Sequence, residues 1–248
     1  MNMKSLALVA ATFASAAAIG TSATAGSTLK ISYFDVPDTA GGPDFGTCCS
    51  SPPATLPVIA LGSALSGGLP VTTLPYTSGG VFDQSLTGQI QWWTPSLVTG
   101  ITYTGGSISS LPYSSNMFAP NSKGTNDGTF FETAVLSGTF TSSGGPQSIS
   151  ISSDDDSFVY IDGQYVGGIS GVHPVESTTI PISALSGVNT IDIFYADRAQ
   201  VAAFLSVGVT GITTSGVPEP ATWAMMMVGF GAMGVAMRSR RKQGVAAA

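Results

Sequence analysis

Between residues 26 and 216 apolar side chains recur at alternate positions over short runs that Gly, Ser, Thr and Pro interrupt. Leu29 to Phe34, Gly88 to Trp93, Gly100 to Tyr103, Val135 to Phe140, Ile149 to Ser152, Ile191 to Tyr195 and Ala203 to Val207 all suit strands. No segment of this region sustains a helical period. The pattern predicts an all-β body, an antiparallel β-sandwich with long loops, in a single unit spanning 26–216. From Thr39 to Gly80 the density of Pro and Gly predicts a looping excursion rather than a second core.

One stretch breaks the alternation. The run Ile149 to Ser152 leads into Ser153, three adjacent carboxylates at Asp154, Asp155 and Asp156, and then the apolar Phe158-Val159-Tyr160-Ile161. Asp162-Gly163 follows, a pair suited to the left-handed geometry of a tight hairpin. Neighbouring carboxylates repel one another, so a folded chain either leaves them hydrated in a turn or neutralises them with a cation. Calcium takes six to eight oxygens from carboxylates and carbonyls at about 2.3–2.6 Å and suits such a cluster.

The ends have a different character. Lys4 precedes an apolar, Ala-rich run from Leu6 to Ile19, and Ala23-Thr24-Ala25 has the small-residue spacing of a signal-peptidase site, so residues 1–25 read as a secretory leader. At the carboxy end, Val217-Pro218-Glu219-Pro220 precedes an apolar run over 221–237 and the basic tail Arg238-Ser239-Arg240-Arg241-Lys242. As a helix that run would reach about 26 Å, near the lower limit for crossing a bilayer, with the basic tail left on the cytoplasmic side.

Charge narrows the choice of partner. Only Lys30, Lys123 and Arg198 lie between residues 26 and 217, against thirteen acidic residues, for a net charge of −10. Nucleic acid is excluded as a partner, because phosphate binding needs clustered Lys and Arg. In a body so poor in cations, Arg198 is expected to pair with a nearby acid.

Little points to catalysis. Cys48-Cys49 has neither CxxC spacing nor a neighbouring His, so a strained disulfide between them, a bridge to another molecule and free thiols all stay open. His173, the single histidine, sits in a loop with no triad motif around it. A glycosidase needs two carboxylates set across a cleft, and an acidic chain offers pairs without any of them being informative.

Ser153 to Gly163, then Gly171-Val172-His173, then Ile191 to Arg198 resemble, in order, the signatures of the fibro-slime domain, itself similar to the protective-antigen-type β-sandwich of adhesins and glycan-binding modules. The clear match covers 149–207. The resemblance implies a calcium site at Asp154 and Asp155, with Asp156 where relatives carry a small residue. It also implies a second loop from Asp197 to Gln200, in which Asp197 assists the ion and Arg198 and Gln200 meet sugar hydroxyls. Gly167 to Ser170 and Pro174 depart from the family pattern.

Pro218-Glu219-Pro220, the Gly-containing apolar span and the Arg-rich tail resemble the PEP-CTERM sorting signal, over 217–242. That resemblance implies an exosortase-type processing enzyme as partner, transient anchoring in the inner membrane of a Gram-negative bacterium, and then delivery to the cell surface or extracellular matrix. The sequence thus leads to the expectation of an exported, non-enzymatic surface or matrix protein that binds extracellular polysaccharide through calcium. The alternatives are a purely structural biofilm component and a hydrolase of matrix glycans.

Overall fold

A computed structural model describes residues 27–37, 44–46, 61–75, 84–96, 100–127, 130–183 and 185–213. The leader with Ala23 and Ala25, the Cys48-Cys49 pair and the segment holding Pro218, Glu219, Pro220, Arg238, Arg240 and Arg241 lie outside those residues. Among the described residues no helix is long and apolar enough to cross a membrane.

The described chain is all-β. Its strands are β1 (Thr28–Pro37), β2 (Thr102–Ser110), β3 (Tyr113–Asn116), β4 (Phe130–Ser143), β5 (Gln147–Asp154), β6 (Asp156–Ile161), β7 (Gln164–Ile169), β8 (Glu176–Ile182), β9 (Ser186–Ala196), β10 (Phe204–Thr210) and β11 (Ile212–Thr213). A seven-stranded sheet runs in the order β2-β1-β4-β9-β6-β7, with β11 paired to β4, and a four-stranded sheet runs β3-β10-β5-β8. All strand pairs are antiparallel.

Alternation decides which face each side chain takes. In the smaller sheet Ile149 and Ile151 of β5, Ile180 and Ile182 of β8, and Leu205 and Val207 of β10 point inward, while Ser150, Pro181 and Ser206 between them face outward. They meet Leu29, Ile31, Leu136, Val159, Ile191 and Ile193 of the larger sheet in one apolar cluster, which makes the two sheets a sandwich.

The larger sheet is covered on its other face as well. Phe34, Val36, Phe131, Phe158, Tyr160 and Phe194 point away from the sandwich interior into a second cluster with Phe45, Leu61, Ile90, Trp92, Trp93 and Ile101. This explains why every residue of β6 is buried: Phe158 and Tyr160 serve one core while Val159 and Ile161 serve the other. A strand buried on both faces loses its polar alternation and reads as a continuous apolar run.

Two expectations change here. The described residues between 39 and 80 do loop, paired only by isolated bridges such as Leu61–Thr72 and Ser66–Leu69, yet Phe45 and Leu61 enter the second core that the turn-rich composition argued against. The run Gly88 to Trp93 is not a continuous strand: Gln89 and Ile90 form single bridges, and the chain turns at Trp92 and Trp93. Both indoles are buried, because a turn lying on a sheet hides its rings as well as a strand would.

The Asp162-Gly163 hairpin forms as expected between β6 and β7. Both residues are left-handed, at φ 49° and 73°. Asp162 also accepts hydrogen bonds from the backbone N–H (2.8 Å) and hydroxyl (3.2 Å) of Thr190, which ties the turn to β9.

Candidate functional site

Two crossings between the sheets build one rim of the sandwich. The chain leaves the smaller sheet at Asp154, passes through Asp155 alone, and enters the larger sheet at Asp156. It returns from β9 to β10 through 197–203. Asp156 pairs with Ala196 in the sheet, so the two crossings lie side by side. The carboxylates are therefore gathered by topology, and the hydrated-turn alternative fails: Asp154, Asp155 and Asp156 are only 4%, 1% and 0% exposed.

The three neighbours then diverge in role. Asp156 accepts the Gly171 N–H at 2.8 Å and the guanidinium of Arg198 at 3.1 Å, so its charge is matched inside the protein. Asp155 accepts two backbone N–H groups, from His173 on one oxygen and Arg198 on the other, each at 2.9 Å. Burial nevertheless pushes its carboxyl up to about 6, those hydrogen bonds opposing the rise. Asp154 is pushed up to about 7, by burial first and by the Asp155 and Asp127 carboxylates after it. Its backbone carbonyl accepts the hydroxyl of Tyr195, and the peptide joining Asp154 to Asp155 is cis.

Asp197 differs from all three. It is wholly buried, no N–H or hydroxyl donates to either of its oxygens, and the side chain that most raises its affinity for a proton is another carboxylate, Asp127. Burial and then Asp127, Asp155 and Asp154 hold its carboxyl well above the ordinary range. Oxygen Oδ1 of Asp127 is likewise buried without a donor. Four carboxylates thus influence one another at the rim, and the cation nearest in sequence, Arg198, is committed elsewhere. As placed, no group of three or more His, Cys, Asp or Glu side chains among the described residues closes around a metal position.

Arg198 pairs with an acid, as the scarcity of cations predicts. Its Nε donates to the Asp44 carbonyl at 2.8 Å, and its guanidinium carbon lies 4.7 Å from the centre of the Trp92 ring. Trp92 in turn donates from its indole nitrogen to the Asp44 carboxylate at 2.9 Å. The residue is 0% exposed, so the side chain expected to meet a sugar is turned into the protein. Gln200 is half-buried in the same loop.

The rim opens into a pocket of about 540 Å³ with Asp154, Asp155 and His173 in its lining, together with apolar residues such as Val175, Val201 and Ala202. His173, expected as a plain loop residue, contributes its backbone to Asp155 and its ring to the pocket, where Nδ1 lies 2.8 Å from the Pro174 carbonyl. Sequence reading missed Asp127, Asp44 and Tyr195. Asn126-Asp127-Gly128 is an ordinary turn composition, and nothing local relates it to a loop 70 residues further on.

Comparisons with known proteins bear on the two ends of this picture differently. No curated protein sequence matches the chain. Among solved structures, a PA14 sugar-binding domain from an RTX adhesin has 17% identity and a TM-score of 0.27, covering 34% of this chain and 55% of that one. A PA14 domain of an antifreeze protein has 20% identity and a TM-score of 0.29, covering 36% and 55%. The chain thus spans about half the length of those two structures. The epithelial adhesin 9 A domain of Candida glabrata, solved with Galb1-4GlcNAc, has 14% identity and a TM-score of 0.39, covering 79% and 87%. All three superpose only in part. At the carboxy end, residues 216–242 match the PEP-CTERM protein-sorting motif.

Proposed function

We propose that the β body is a calcium-dependent carbohydrate-binding module without enzymatic activity, carried by a protein that an exosortase-type enzyme sorts. Its route would be export, transient anchoring in the inner membrane, and delivery to the surface or matrix of a Gram-negative bacterium. The observation that carries the binding reading is Asp197, a wholly buried carboxylate with no donor on either oxygen, set against Asp127 and under the influence of Asp154 and Asp155. An isolated buried carboxylate either keeps a proton or finds a cation. Oxygen-only chemistry selects a hard ion, and calcium fits because loop carbonyls complete its shell where side chains are too few.

Asp154, Asp155, Asp197 and Asp127 are the residues that would hold it. Asp156 gives way as a ligand, since its oxygens already serve Gly171 and Arg198. The bound ion would supply positive charge and coordination positions that vicinal sugar hydroxyls can take. The protein's own part is to fix the carboxylates: backbone N–H groups of His173 and Arg198 orient Asp155, and Tyr195 anchors the Asp154 backbone.

The test uses the full-length chain in mild detergent. Millimolar calcium is expected to raise the melting temperature over that in chelator, and Asp197→Asn and Asp154→Asn are expected to abolish the increment. A melting temperature indifferent to calcium sinks the ion. Glycan-array binding that survives chelator separates sugar recognition from the ion, and an array blank under both conditions favours a purely structural matrix component.

A further inference from the structure

The walls of the rim pocket say more about its ligand than the carboxylates do. Val172, Pro174 and Val175 come from the β7–β8 loop, and Ala199, Val201 and Ala202 from the β9–β10 loop. Every one is apolar. His173 supplies the one ring of this lining, and none of the lining residues is Lys or Arg. A uronate or sulfate would bring its negative charge against Asp154 and Asp155, with no Lys or Arg in the lining to offset it.

The apolar residues are also held out toward the ligand. Val175 and Val201 are 51% and 60% exposed, and Ala202 sits at φ 64°, a left-handed conformation that costs a residue with a Cβ. Sugar hydroxyls set against such walls would lose water without gaining a partner. A methyl group offers them what they can accept. Its burial against Val and Ala needs no hydrogen bond and contributes in proportion to the area removed from water.

From this we infer that the pocket selects a neutral sugar bearing a methyl-terminated substituent beside its hydroxyl pair, either a 6-deoxy carbon or an acetyl group. The inference rests on the carbohydrate reading above and adds the class of sugar. The hydroxyl pair addresses the acidic floor, and the methyl group lies between Val175 and Val201.

Matched sugars test it on the full-length chain in mild detergent with calcium present. L-rhamnose is compared with L-mannose, L-fucose with L-galactose, and N-acetylglucosamine with glucose, by ligand-observed NMR titration. The methyl-bearing member of at least one pair is expected to bind about four- to tenfold more tightly, the first two pairs reporting a deoxy carbon and the third an acetyl group. Val175→Ser and Val201→Ser, both at exposed positions, are expected to keep the melting temperature while erasing the difference within each pair. Equal affinities within every pair, a preference for the hydroxylated sugars, or discrimination that persists in both variants overturns the inference and leaves carbohydrate binding standing. Absence of binding by all six sugars overturns both.

Discussion

Arg198 illustrates how a chain with few cations spends one in its interior. Its guanidinium meets Asp156 at 3.1 Å with both side chains at 0% exposure, and it also reaches the Asp44 carbonyl and the Trp92 face. Removing one partner of such a pair strands the other in a medium that cannot solvate it. Arg198→Met is expected to cost about 3–5 kcal/mol, and Asp156→Asn added to it should recover part of the loss. Urea denaturation measures both, and a single-variant loss below about 1 kcal/mol would show that water reaches Asp156.

Glu132 makes the opposite case, a buried acid without a cation. Ser122 donates to it from its backbone at 2.8 Å and from its hydroxyl at 2.7 Å, yet burial still pushes the carboxyl up to about 8 from an ordinary 4.5, with Asp35 adding to the rise. The folded state then holds a proton that the unfolded chain releases. Because the folded value is the higher, stability is fullest below about 4.5 and declines as pH rises toward about 8. Asp154 and Asp155 act in the same direction when no cation is present. In chelator the melting temperature should therefore fall across that window, and Glu132→Gln, which keeps partners for Ser122, should flatten the slope. A slope identical in the variant would remove Glu132 from the account.

At the scale of elements, the β6–β7 hairpin carries the tightest local demands. Its turn needs two left-handed residues, and its far end needs a residue without a side chain: a Cβ at Gly168 would stand 2.1 Å from the Ser157 carbonyl oxygen. Gly168→Ala is expected to cost about 1–3 kcal/mol by forcing β7 away from β6. Gly163→Ala, with nothing within 4 Å of the added carbon but φ at +73°, should cost only about 1 kcal/mol, the conformational component alone. The order of the two in urea denaturation is the check, and a reversed order would mean that β7 yields freely. The turn was legible in Asp162-Gly163, whereas the Gly168 constraint was not, since it depends on how closely the partner strand approaches.

Across the whole molecule, the second core links the loops to the site. Trp93 is 3% exposed, packs on Phe158 and Phe194, and donates from its indole nitrogen to the Tyr195 carbonyl at 2.7 Å. Tyr195 in turn reaches the Asp154 carbonyl with its hydroxyl. The turn at Trp92 and Trp93 is thus fastened to the strand that supports the rim. Trp93→Ala is expected to cost about 3–5 kcal/mol. Far-UV circular dichroism and the fluorescence of the remaining indoles should still report a single transition, whereas separate transitions would make the outer layer an independent unit.

The sequence alone determined what depends on near neighbours. Strand period, turn chemistry, the acidic run and the carboxy-terminal motif are each written within a short stretch of residues, the excess of negative charge is a sum over the body, and all of them were readable without the fold. Tertiary structure decided what depends on residues far apart. Asp154, Asp155 and Asp156 are adjacent and chemically identical, yet Arg198 matches one of them and Asp127 and Asp197 crowd the others. That division arises because successive side chains along an extended backbone point to opposite sides, and because two sheet crossings separated by about 40 residues meet at one rim. The second core has the same origin: a run rich in turns shows no period, and only the exposed back of the larger sheet supplies a surface for its indoles to cover.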